Sequence, residues 1–306
     1  MLKLLISWVI LLGKDVTRGA KNQFCFEAEI IKDWYIVVDL AVFDNKGKHQ
    51  TKLLDVDVVV TCMSLSNVSV RPNDTEESVD TCLKYGFVWV CLGELVHEIV
   101  DIPEINGADR YMVAGGSKAL NVFCLRTVEN FLDMGHFLFF HTDLLGEQPH
   151  TEVPPFQIEI TDNDEVLATQ CEFPPPLASP TVEGGFIVEC VNRVIRPYTE
   201  ALHKSNTTQA DRMDSIYLFV QPVDEGNCVA YSLLCCSKKC IYELTIRWFI
   251  QLIFAQDKPI LENQFPKHLL LDPRIEMSIM ADVSPITYWP LLRDYNVTYG
   301  AIPAAI

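Results

Sequence analysis

At 306 residues the chain is long enough for one large domain or two ordinary ones, and 49% hydrophobic residues supply a substantial core. Its 41 acidic against 24 basic residues, a formal net charge of -17, exclude nucleic acid and an anionic membrane as main partners, because phosphate contacts require Lys and Arg. Eleven cysteines fall without a C-x-x-C pair or framework spacing, and several sit inside apolar runs (Cys91, Cys124), which points to reduced thiols and a cytoplasmic protein.

In chain order, residues 1–23 form an N-terminal extension. Its apolar stretch at 1–12 is too short to span a bilayer as a helix. It has the form of a signal-peptide core behind Lys3, but no small-x-small cleavage site follows it. The sequons at Asn67, Asn73, Asn206 and Asn296 matter only on that secreted reading. Residues 34–40 and 53–60 read as β-branched strands with a turn at 45–48, residues 64–82 as a polar loop, and residues 85–93 as a further strand. A connector at 93–117 predicts a domain boundary after residue 116. Beyond it, residues 118–140 read as mostly helical, 154–173 and 185–194 as strands, and 215–223 with 228–234 as a hairpin. Residues 242–264 read as a long helix and the tail after Pro266 as irregular. The order predicts an α+β fold with an antiparallel sheet.

The chemistry concentrates in residues 130–141, where Asp133, His136 and His141 stand among Leu and Phe. Burying an imidazole or a carboxylate without a partner costs several kcal/mol. A metal shared by both histidines would supply that partner, and imidazoles suit iron, zinc or copper. Positions five apart on an ideal helix differ by roughly 140°, so both rings reach one metal only if the helix ends or distorts near Phe139 and Phe140. In the second helix, Ile246, Ile250, Ile253, Ile260 and Gln264 follow a 4-3 spacing, and Asp257 fills the missing position of the stripe. Two His and one carboxylate form the facial triad of non-haem Fe(II) chemistry. The same residues admit a plainer reading: two core-edge histidines with ordinary hydrogen bonds, and Asp257 at a helix edge paired with Lys258 or Arg247.

The N-x-x-D-x-x-H-x-x-x-x-H segment, the Gln256-Asp257 helix and the strand beginning Tyr85-Gly-Phe-Val-Trp resemble the oxygenase (alpha) component of Rieske-type non-haem iron aromatic ring-hydroxylating oxygenases. The nearest likeness is the vanillate O-demethylase and toluenesulfonate monooxygenase group, over roughly residues 24–303. The resemblance implies a Rieske-like β domain at 24–116 and a helix-grip catalytic domain at 117–306, with a curved antiparallel sheet. It implies mononuclear Fe(2+) held by His136, His141 and Asp257, with Asp133 between the iron and the electron donor and Asn130 near the iron. It also implies O2 and a small aromatic as substrates, hydroxylation or O-demethylation as the reaction, a ferredoxin or reductase as partner, and a homotrimeric assembly.

One departure is large. The C-x-H and C-x-x-H pairs that bind a [2Fe–2S] cluster in that family are absent here, and His49 and His97 are the only histidines before His136. The N-terminal part therefore reads as the shell of a Rieske domain without its cluster-binding insert, and electrons must come from a separate protein. Two further readings stay open: a non-catalytic aromatic-binding helix-grip protein, and a metal-dependent hydrolase using the same ligands as a Lewis-acid site.

Overall fold

The computed structural model describes residues 27–43, 47–64, 66–141, 144–145, 152–173, 188–206, 209–236, 243–272 and 274–303. The apolar N-terminus, residues 45 and 46 of the expected turn and residues 174–187 lie outside them, and residues 47 and 48 of that turn belong to a strand. Among the described residues no helix is long and apolar enough to cross a membrane.

After a short helix α1 (Ala28–Ile31) come strands β1 (Tyr35–Asp39), β2 (Gly47–Leu53), β3 (Val56–Ser64), β4 (Asn67–Pro72), β5 (Asp80–Lys84) and β6 (Phe87–Cys91). They form two antiparallel three-stranded sheets, ordered β1-β6-β5 and β2-β3-β4. Residues 53–60, expected as one strand, are broken by a two-residue turn. Leu54 and Asp55 take φ of 50° and 67°, and Leu53 pairs with Val56 across them. Tyr85 and Gly86, expected inside a strand, form a second turn with φ of 57° and 83°. Both pairs take the positive-φ geometry that matches the twist of a hairpin. Neither turn is marked by an Asn-Gly or Asp-Gly pair, so the apolar pattern ran through the first of them. The polar stretch at 64–82 is not a loop but contains β4 and most of β5. Their side chains are largely exposed or half-buried, so the segment lacks the apolar alternation that marks a strand.

Strand β7 (Tyr111–Leu120) opens a seven-stranded antiparallel sheet, ordered β7-β13-β12-β11-β10-β9-β8, with β8 (Gln157–Ile160), β9 (Val166–Phe173), β10 (Val188–Arg196), β11 (Thr199–Asn206), β12 (Gln209–Asp224) and β13 (Asn227–Cys236). The boundary expected after residue 116 thus falls inside β7, which pairs with β13 from Tyr111 to Leu120. Gly115-Gly116-Ser117 read as linker, but the glycines serve packing. A Cβ on Gly115 would stand 2.1 Å from Ser232 Oγ and 3.0 Å from Ile250, and Gly116 has φ +87° beside Gln251. Their bareness lets helix α4 (Glu243–Asn263; helices α2 and α3 are described below) lie close against β7.

The two faces of this sheet divide the core. One carries Tyr217, Phe219, Tyr231 and Leu233 against Trp34, Ile36, Phe87 and Trp89 of the N-terminal strands. The other carries Leu218, Val220 and Ala230 against helices α2 (Cys124–Leu132) and α5 (Val283–Asp294). Helix α5, in a tail expected to be irregular, contains Pro285 and Pro290 and places Tyr288, Trp289, Leu291 and Leu292 in the core. Two prolines and apolar residues around most of its circumference hid its period.

Candidate metal centre

Residues 118–140 are not one helix. Helix α2 stops at Leu132 because Asp133 takes extended backbone angles and its Oδ1 accepts the Gly135 N–H at 2.7 Å. This local turn competes with the next helical bond. A single helical turn follows, α3 (Phe137–Phe140), with His136 and His141 as its flanking residues. The break expected near Phe139 and Phe140 therefore lies on both sides of that turn. The two imidazole rings stand with centroids 5.1 Å apart.

Across from them, α4 buries Ile250, Phe254, Asp257 and Leu261. The buried stripe is rotated from the expected isoleucine line, because Ile246, Ile253, Ile260 and Gln264 are only half-buried, but Asp257 lies within it. His136, His141 and Asp257 each offer a ligand atom within 4.8 Å of the others, and all three are buried. Asp257 Oδ1 is 3.0 Å from His141 Nε2 and 3.6 Å from His136 Nε2. Yet all three atoms lack a hydrogen bond of acceptable geometry. They approach one another without pointing at one another, as donors arranged around a common centre do. Lys258 and Arg247 turn elsewhere, to Glu262 and Asp39.

The supports are specific. His141 Nδ1 is 2.9 Å from Gln256 Oε1. Burial works to lower the His141 pKa, but Asp257 and Gln256 together hold it above the ordinary histidine value. His136 Nδ1 lies 3.4 Å from Asp133 Oδ2, whose side chain is partly open to solvent. Asp133 was expected one helical turn before His136; it instead ends the helix and reaches back from the turn. Asn130 is half-buried in the last turn of α2, and its side chain makes no hydrogen bond among the described residues. In the sequence only the place of Gln256 beside Asp257 signals its role.

Behind the site, Arg126 is fully buried. It donates to Glu129 Oε2 and Glu276 Oε1, each at 2.6 Å, and to the carbonyls of Pro266 and His268. Burial pushes the Glu129 carboxyl up to about 6 despite Arg126. The network ties α2 to the 266–276 segment and to Trp289 of α5. Among the described residues, His136, His141 and Asp257 are the one group of His, Cys, Asp or Glu close enough to share a metal ion.

Residues 124–294 match the family described as vanillate O-demethylase oxygenase C-terminal domain. A probable methylxanthine N7-demethylase of Pseudomonas sp. (strain TJI-51) is 37% identical over 284 residues, covering 92% of this chain and 98% of that protein. The structure of Pseudomonas putida CBB5 NdmA, a methylxanthine N1-demethylase, superimposes with TM-score 0.68 at 18% identity over 87% of this chain and 91% of its own. Dicamba monooxygenase with non-haem iron and dicamba superimposes with TM-score 0.62 at 12% identity over 87% of this chain and 97% of its own. The family match over more than half of the chain and the 37% identical relative together show the lineage: the chain belongs to the Rieske-type non-haem iron oxygenases, in the vanillate O-demethylase oxygenase group.

Proposed function

We propose that this chain is an oxygenase component that oxidises a small aromatic compound, removing a methyl group from it or hydroxylating it, with one iron ion and with electrons delivered by a separate protein. The observation that carries the reading is the set of three buried, unpartnered atoms, His136 Nε2, His141 Nε2 and Asp257 Oδ1. Leaving them bare costs about 1–3 kcal/mol each, and two imidazoles with one carboxylate fit ferrous iron. Iron so held would supply dioxygen activation. The chain's own residues do the rest. Gln256 Oε1 accepts the Nδ1–H of His141 and so keeps the Nε2 lone pair free. Asp133 Oδ2 stands 3.4 Å from His136 Nδ1 without a hydrogen bond, so its part there is electrostatic. Asp257 neutralises positive charge in a dry setting, and Met134 and Phe137 exclude water. The relative's name supports N-demethylation of a methylxanthine as the nearest chemistry.

A [2Fe–2S] cluster does not fit the residues present. The sequence has no C-x-H or C-x-x-H pair, and the nine cysteines among the described residues are dispersed free thiols, several of them raised to about 11 or 12 by burial. A cluster ligand must be a thiolate, so these are poor ligands. That same absence favours the second reading, an aromatic-binding protein that has lost redox chemistry. Metal analysis and single turnover decide between them. The oxygenase reading expects about one iron per chain, no acid-labile sulfide, and product from one turnover with an external reductant and O2, lost in His136→Ala. Tight aromatic binding without iron, or zinc in its place, would overturn it.

A further inference from the structure

Apart from the metal site and from Ser232, whose hydroxyl lies under α4, two unpartnered polar side chains stand on the helix-covered face of the large sheet. Asn192 on β10 is 1% exposed, and its Oδ1 has no hydrogen-bond partner. Glu200 on β11 is fully buried, and neither carboxyl oxygen has one. The register places them together. Val194 faces Glu200 and Asn192 faces Leu202 across the β10–β11 pair. Cross-strand partners and alternate residues share a face, so Asn192 and Glu200 are diagonal neighbours, about 7–8 Å apart.

That face leads to the metal. Cys190 and Leu202 beside Asn192, with Ala168 and Cys171 of β9, pack with Met134 and Phe137 in a small apolar cluster of their own. The Asn192 amide Nδ2 donates to Met134 Sδ at 3.2 Å, and Met134 lies two residues before His136. A thioether is a weak acceptor, so this contact uses the NH2 end and leaves the stronger acceptor, Oδ1, bare. Burial pushes the Glu200 carboxyl well above the ordinary range and so favours its neutral form, which can both donate and accept. Glu200 stands between Val194 and Leu218 of the main core, and apolar surroundings gain nothing from two such groups unless something meets them. A hydrocarbon-like substrate would leave both unpaired.

We propose that Asn192 and Glu200 are the specificity-determining pair of this oxygenase, reading the polar edge of an uncharged nitrogen heterocycle that bears ring N–H and carbonyl groups. The proposal rests on the oxygenase reading above for the site the pair would serve. Asn192 Oδ1 accepts a ring N–H, and the Glu200 carboxyl donates to a carbonyl.

The test is calorimetric binding to the iron-loaded chain under nitrogen. The probes are theobromine, which carries a ring N–H and carbonyls, and 2-methoxynaphthalene, an apolar bicyclic methyl ether. Wild type should bind theobromine at least about tenfold more tightly than the ether. Asn192→Leu and Glu200→Leu should each weaken theobromine by about 10–100-fold, with ether binding kept and iron still one per chain. Glu200→Gln, which keeps a neutral donor and acceptor, should stay within a few-fold of wild type. Equal affinity of wild type for the two probes would overturn the proposal, as would unchanged theobromine affinity in Asn192→Leu. The wild-type comparison needs no variant, so it decides the matter even if a leucine substitution prevents folding. Discrimination between the probes in a chain that takes up no iron would leave the pair standing and remove the oxygenase reading instead.

Discussion

Gln256 and Asp257 are adjacent on α4 yet meet the same histidine from two sides: Gln256 Oε1 lies 2.9 Å from His141 Nδ1, and Asp257 Oδ1 lies 3.0 Å from its Nε2. One backbone position thus fixes the ring and the next offers a carboxylate oxygen to the group that could hold a metal. Gln256→Leu should leave the fold intact and weaken Fe(II) binding about 10–100-fold, the usual effect of removing such a support. Anaerobic iron titration checks this, and unchanged affinity would remove Gln256 from the site.

Metal uptake should be visible as stability. If the site holds iron as proposed, saturating Fe(II) should raise Tm and a chelator lower it; at a hundred times Kd the gain is about 2.7 kcal/mol. His136→Ala should unfold at the same temperature with and without Fe(II). A thermal scan showing an iron-dependent shift in that variant would place the metal elsewhere.

Gly115→Ala tests how the helix holds its carboxylate. The new methyl would meet the side chains of Ser232 and Ile250, so they must give way, and a shift of α4 off β7 would carry Asp257 with it. A loss of about 1–3 kcal/mol is expected from overpacking, together with weaker iron binding. Denaturant unfolding and iron titration measure the two effects separately, and a loss of stability with full iron affinity would show that the helix seat does not position Asp257.

Glu104 gives a pH signature far from the metal. Burial works to raise its pKa, but hydrogen bonds from His203, its own backbone and Tyr217 bring it down to about 2. The unfolded value is 4.5, so the folded chain holds fewer protons in between. The stabilisation is therefore complete above about pH 4.5 and is lost as the pH falls through 2. Glu104→Gln should cost about 2–3 kcal/mol at pH 7 and flatten the acid limb of a stability–pH curve. A parallel curve for the variant would mean that the carboxylate makes no such contribution.

Electron supply is testable without substrate knowledge. No nucleotide-binding or cluster motif stands in the sequence, so NADH with O2 and an aromatic substrate should give no sustained turnover. Oxygen-electrode traces that show steady NADH-driven consumption by the chain alone would contradict it.

Much of the site was legible in the sequence because polar residues in apolar surroundings must be partnered. His136 and His141 stand out among phenylalanines, and Asp257 interrupts an apolar stripe. The break that brings the histidines together was legible only as a requirement, since the Asp133 turn is set by one side-chain bond. Asn192 and Glu200 stayed hidden: on a strand, one polar residue at an inward position looks like ordinary alternation until the register is known. The strands around Ile36 and Trp89 and the 215–234 hairpin followed their period. Helix α5 and the exposed β4 lacked one.

The tip of the β2–β3 hairpin is where the first hundred residues grip the rest. Leu54 is fully buried there, the N–H groups of Leu54 and Asp55 donate to Pro222 and Val223 at 2.8 and 3.0 Å, and Tyr299 donates to Asp55 at 2.8 Å. The N-terminal strands thus act as a keel. Cutting them away would expose the Tyr217–Phe219–Tyr231 face of the large sheet to water. The large sheet therefore depends for its cover on strands that come before it in the chain, and a change confined to the exposed β4 can leave that cover in place.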